Sequence, residues 1–125
     1  MLLLAVETSC DDSAVAVLNG NGEVLGELVY TQSEHCVHGG VVPEIASRLH
    51  MSVLPGVVRE VLDKSGISLS QIDTFAATAG PGLTGSLLVG LSYTKAAAFA
   101  LGKPFLGINS IYNPSNASET VNSNF

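Results

Sequence analysis

Cysteine is nearly absent: Cys10 and Cys36 are the two in a chain of 125 residues. That is too few for a disulfide framework, so a reducing, cytoplasmic setting is expected. Basic residues are scarce as well. Five Lys and Arg against eleven Asp and Glu leave a formal charge of −6. A platform that grips nucleic acid through its phosphates carries a basic face, which this chain alone does not supply. No signal peptide is expected, because the apolar run Met1 to Val6 is short and Glu7 ends it. Phe75 to Leu101 holds one charge, Lys95, in 27 residues. Yet Gly80, Pro81, Gly82 and Gly85 open that stretch as a loop. Lys95 at mid-span would also cost roughly 2.5–3.5 kcal/mol in a bilayer. A strand followed by a buried helix is the expected reading, with no membrane partner.

What the chain does have is apolar side chains. They make up 46% of it, with a mean hydropathy of +0.40. One domain of this length has a modest core. The surplus predicts apolar surface left for a partner or for a missing second lobe.

Leu2 to Val6 is an uninterrupted apolar run, which predicts a strand covered on both faces. A polar turn, Glu7 to Ser13, leads to a second strand, Ala14 to Leu18. Thr8, Ser9, Cys10, Asp11 and Asp12 are its candidate phosphate-loop residues. Hydroxyls and backbone N–H groups hold phosphate oxygens, and a carboxylate holds a cation or its water shell. The plain alternative is a hairpin turn rich in Asp and Ser. Asn19-Gly20-Asn21-Gly22 predicts a tight hairpin into a third strand, Glu23 to Thr31.

His35, Cys36 and His38 fall in a loop, Gln32 to Gly40, whose spacing fits no common zinc pattern. Val41 to Lys64 predicts a helix with Pro43 in its first turn and Gly66 beyond its end. Ile45, Leu49, Leu54, Val58, Val61 and Leu62 form its expected apolar face, and Arg48, His50, Arg59 and Glu60 its solvated one. Pro55-Gly56 predicts a kink or two abutting helices. A buried strand, Ile72 to Thr78, feeds a glycine-rich loop whose Gly80 and Gly82 are secondary anion-site candidates. The plain alternative is a packing loop. A second helix, about Thr84 to Leu101, carries Leu87, Leu91, Thr94 and Ala98 on one face, either core or partner interface. Lys103 to Asn109 predicts a fifth strand. Residues 110–125, rich in Ser and Asn and without apolar periodicity, predict a disordered tail.

The order β-β-β-α-β-α-β predicts an α/β fold, the RNase H-like lobe of the actin-like ATPase (ASKHA) superfamily. Within that frame, Glu7-Thr8-Ser9-Cys10-Asp11, His35 with Gly39-Gly40, Val41 to Arg48 (VVPEIASR) and Thr78 to Leu83 (TAGPGL) resemble the TsaD family. These are the tRNA N6-adenosine threonylcarbamoyltransferases, formerly the glycoprotease or O-sialoglycoprotein endopeptidase family. The resemblance covers Met1 to about Asn109. It implies transfer of threonylcarbamoyl from threonylcarbamoyl-AMP to N6 of adenosine 37 (t6A37) in ANN-decoding tRNAs. It also implies a nucleotide, ATP or the adenylate, held between two lobes with one divalent metal, Fe or Zn. Implied partners are small TsaB-like subunits or a second copy, bound through the helices of this lobe, with tRNA only in the intact complex.

The departure from the family is equally specific. The family's metal-binding His-x-x-x-His falls at Ser110 and Pro114, a poor neutral ligand and a residue without a side-chain donor. The second lobe is expected to be absent. An N-terminal portion of the transferase, inactive alone and binding no cofactor tightly, is therefore the expected function. The alternative is a non-catalytic partner-binding module of the same system. A sugar-kinase-like half and a protease find less support, the latter because no nucleophile–base arrangement is legible.

Overall fold

The computed structural model describes residues 1–32, 42–109 and the backbone of 121–122. Six strands form one sheet: β1 (Leu2–Glu7), β2 (Ser13–Asn19), β3 (Val24–Tyr30), β4 (Thr74–Gly80), β5 (Phe105–Asn109) and β6 (Val121–Asn122). Their order across it is β3-β2-β1-β4-β5-β6. The first three are antiparallel neighbours, whereas β1, β4 and β5 run parallel. The turn after β2 is set by Asn19, whose side chain accepts from the N–H groups of Asn21 and Glu23, and by Gly22 at φ 81°. Beyond Asn109 the short β6 pairs antiparallel with β5, a ladder contact within the stretch expected to be disordered. The rest of that tail, Ser110 and Pro114 included, lies outside the described residues.

Two helices, α1 (Pro43–Ser65) and α2 (Thr84–Leu101), cover one face of the sheet. Each ends as its glycine predicts. Gly66 and Gly102 adopt left-handed φ of 67° and 64°. The N–H groups of Gly66 and Ile67 return to Asp63 and Leu62, and those of Gly102 and Lys103 to Phe99 and Ala98. α1 is one unbroken helix through Pro55, so two abutting helices are not formed. Pro55 and Gly56 lie on its exposed side, where a missing N–H leaves the opposing carbonyl open to water.

The core joins Leu4, Val6, Val15, Val17, Phe75 and Ala77 of the sheet to Leu54, Val58 and Val61 of α1 and Leu91 and Ala98 of α2. β1 was expected to be covered on both faces, but it alternates buried and half-buried. Both described helices lie on the same side. Apolar surplus is visible on edge strand β3, at Val24, Leu25 and Val29, and on the helices at Met51, Leu88 and Phe99.

The Thr94 hydroxyl on α2 is fully buried and has no hydrogen-bond partner among the described residues. Thr94→Val keeps the shape and removes that stranded group. It is expected to raise stability by about 1 kcal/mol, a melting temperature several degrees higher in a thermal scan.

Candidate phosphate-loop site at the strand ends

The parallel strands β1, β4 and β5 bring their carboxyl ends to one rim, the usual place for a ligand crevice in an open sheet. Three pieces of sequence meet there: Glu7, the loop Thr8 to Asp12, and the turn Gly80 to Leu83. Glu7 is held from both sides. One carboxylate oxygen accepts from the Ser9 N–H, and the other accepts from the Thr78 hydroxyl at 2.6 Å.

Thr8 turns inward and is 2% exposed. Its hydroxyl donates to the Ser86 carbonyl at 2.7 Å and accepts from the Gly90 N–H at 3.0 Å. Those two groups bond one another in a regular α-helix, so Thr8 bridges the ladder of α2. Proposed as a phosphate contact, Thr8 instead locks the loop to the helix and has no hydrogen left to offer.

His50 overturns a second expectation. Assigned to the solvated face of α1, it is fully buried. Its Nδ1 lies 2.6 Å from Ser13 Oγ and its Nε2 2.7 Å from the Cys10 carbonyl oxygen. A carbonyl only accepts, so Nε2 carries the hydrogen. In the neutral ring Nδ1 then accepts from the Ser13 hydroxyl. Ser13 and His50 are thus a nucleophile–base pair that sequence reading did not find. Both are sealed from solvent, and Nε2 meets a carbonyl rather than a carboxylate, so the pair is no hydrolytic site.

The second loop is welded to the first. The Leu83 N–H donates to the Ser9 carbonyl at 2.7 Å. A Cβ on Gly82 would overlap that same carbonyl oxygen and lie 2.7 Å from Ser9 Cβ. Gly82 therefore serves close backbone approach, whereas a Cβ on Gly80 would meet nothing within 4 Å. Gly82→Ala must push the two loops apart. We expect it to cost about 1–3 kcal/mol of stability, with amide shifts in an NMR spectrum centred on Ser9 and Leu83 rather than on the core.

What remains outward is half-buried Ser9, Asp11 and Asp12, with Cys10 exposed. Partial desolvation, then the Asp11 carboxylate, push the Cys10 thiol above its ordinary pKa, with Asp12 adding to the rise and the Asp11 backbone opposing it. The thiol thus stays protonated near neutrality and is a poor nucleophile. Asp11 and Asp12 would repel bare phosphate, but they suit a cation or its water shell accompanying one.

The interface candidates on α2 need correction. Leu91, Thr94 and Ala98 are 8%, 0% and 2% exposed, and half-buried Leu87 packs against the same core. Their stripe faces the sheet. Outward lie Leu88, Ser92 and Phe99, and Leu88 and Phe99 with Met51 of α1 are the exposed apolar side chains of the helices. His35, Cys36 and His38 lie outside the described residues. Among the described residues no three His, Cys, Asp or Glu side chains gather as a metal site, and no helix is long and apolar enough to cross a membrane.

Compared with known proteins, residues 23–119 match the family model of TsaD, the tRNA N6-adenosine threonylcarbamoyltransferase. The chain belongs to the TsaD family. A Gluconobacter oxydans protein of that name is 55% identical over 109 residues, 87% of this chain but 30% of the relative. The chain thus spans about a third of the length of the curated TsaD proteins it matches. Among solved structures, YeaZ from Pseudomonas aeruginosa superposes with a TM-score of 0.65 at 31% identity, over 86% of this chain and 43% of that one. T. thermophilus RuvC, solved with a Holliday junction substrate, superposes at 0.51 with 17% identity over 88% of this chain and 65% of its own, a likeness of fold. TsaD membership and these superpositions agree with an N-terminal, RNase H-like lobe.

Proposed function

We propose that this chain is the N-terminal lobe of a cytoplasmic t6A37 transferase, which passes threonylcarbamoyl from threonylcarbamoyl-AMP to N6 of adenosine 37 in ANN-decoding tRNAs. The observation that carries this reading is the family match across the lobe. In it, Ser9 to Asp12 face the nucleotide phosphates, with Thr8 anchoring the loop from within. Ser9 and the backbone meet the oxygens, and Asp11 and Asp12 meet the accompanying cation. Neither the described residues nor Ser110 and Pro114 fit the family's metal, so no step is assigned to it here, and the chain alone is inactive.

The test joins this chain to the remainder of the Gluconobacter relative, beyond its matched region. With synthetic adenylate and tRNA, the chimera is expected to form modified tRNA and the chain alone none. An inactive, well-folded chimera beside an active intact relative would refute the reading.

A second reading, a partner-binding module, is favoured by one feature. Ser47, Met51, Leu54, Gly85, Leu88 and Tyr93 line a groove of about 440 Å³ between the helices, with Met51 and Leu88 largely exposed. Size-exclusion with a TsaB-like subunit tests the groove, while the activity of the chimera separates this reading from the transferase. A stable complex lost in Leu88→Arg supports the module, and no complex at micromolar concentration removes it.

A further inference from the structure

We infer that His50 is a positioning residue that holds the loop Thr8 to Asp12 in its ligand-ready shape before any ligand arrives. The inference rests on the proposed reading of that loop as a phosphate site.

Four ties fix the loop. Thr8 is bolted to α2 through Ser86 and Gly90. The Ser9 N–H reaches Glu7, and the Ser9 carbonyl receives the Leu83 N–H. His50 holds the middle through the Cys10 carbonyl and ties it to Ser13, the residue that opens β2. The two contacts are coupled through the ring. Ser13 donating to Nδ1 fixes the tautomer with hydrogen on Nε2, the one tautomer that can grip a carbonyl. Turning the Cys10 carbonyl inward leaves the side chains of Cys10, Asp11 and Asp12 on the outer side of the turn, where a phosphate and its cation would lie. The rigid base is α1, whose buried stripe places His50 beneath the loop. A ligand then meets ordered groups, and the entropy of ordering is not charged against its binding.

Two near-isosteric variants separate positioning from mere core filling. The amide of His50→Gln reaches the place of Nε2 and keeps the Cys10 grip. The amide of His50→Asn reaches the place of Nδ1 and loses it. Hydrogen exchange at the Ser9 and Leu83 amides, with Val15 and Phe75 as core references, reads the loop in the free chain. We expect exchange about tenfold faster at Ser9 and Leu83 in the Asn variant and within about twofold of wild type in the Gln variant. Equal behaviour of the two overturns the inference. If the Asn variant does not fold, Ser13→Ala, which releases the tautomer, is expected to loosen the same amides, and unchanged protection there overturns it.

A titration of the wild-type chain with Mg·ATP, followed by amide shifts, tests the underlying reading separately. No shifts at Ser9 to Asp12 would remove the phosphate site while the exchange result still decides what His50 does. Where shifts occur, they are expected to persist in the Gln variant and fade at least tenfold in affinity in the Asn variant.

Discussion

His50→Ala is expected to lose roughly 3–5 kcal/mol of folding stability, a large share of the 5–15 kcal/mol typical of a domain. The truncation empties a fully buried imidazole site and strands two groups, the Ser13 hydroxyl and the Cys10 carbonyl. A buried group left unsatisfied costs about 1–3 kcal/mol, and the cavity adds to it. The Cys10 carbonyl is the nearer of the two to the surface, so water offsets part of its loss. Urea unfolding followed by circular dichroism measures the total. Arg48→Ala, two positions earlier, is the contrast. Its ion pair with Glu44 joins side chains 76% and 74% exposed, and it is expected to change stability by no more than about 0.5 kcal/mol. A loss under about 1 kcal/mol in His50→Ala would show that the ring's two bonds are replaced by solvent at little cost.

Gly90→Ala is the second large effect, and its sign runs against helix propensity. Alanine inside a helix gains about 1 kcal/mol over glycine. Here the new Cβ would collide with the Thr8 hydroxyl and lie 3.4 Å from Thr8 Cβ and Cγ2. Thr8 has no room to retreat, being buried and bonded to α2 at both ends of its hydroxyl. Overpacking of this kind costs about 1–3 kcal/mol, and the lost hydroxyl bonds add about 1 kcal/mol each. A net loss of about 2–3 kcal/mol is expected, read as a melting temperature lower by roughly 10 °C. Thr8→Ala in the same chain should recover part of it. The space reopens, and the Gly90 position can bond the Ser86 carbonyl in the regular way. A double variant no better than Gly90→Ala would refute the collision as the cause.

The first five strands and both helices were legible because their apolar runs and glycine punctuation agree at every level, whereas β6 was not. The family motifs were legible for the same reason, being contiguous. In α1, Leu54, Val58, Val61 and Leu62 are buried as expected, and only the first turns of the stripe were read one position off. Ile45 and Leu49 were placed inward but are half-buried, whereas Ala46 and His50 are the buried residues of those turns. Ala46, His50 and Leu54 recur at intervals of four, so a signal for His50 existed. It was masked because histidine next to Arg48 reads as polar surface until its partners are known. Those partners, Ser13 and the Cys10 carbonyl, come from another part of the chain. Likewise the inward turn of Thr8 depends on Gly90, 82 residues away, which no local pattern expresses. Leu91, Thr94 and Ala98 were correctly grouped on one face of α2, but which neighbour that face meets is a property of the sheet.

The placement of β1 has a consequence for how the chain is born. Its Leu2 N–H is bound to the Asp73 carboxylate, 71 residues later, and its free edge is closed by β4. At the usual 5–20 residues per second, that closure waits roughly 4–14 s after β1 is synthesised. During that interval β1 and β3 have only β2 to pair with. The open edge of β1 and the apolar face of the strands await α1 and β4. The vulnerable state of this protein is therefore its own first half in transit, where a chaperone would have to act and where slowed translation between Tyr30 and Thr74 would do most harm.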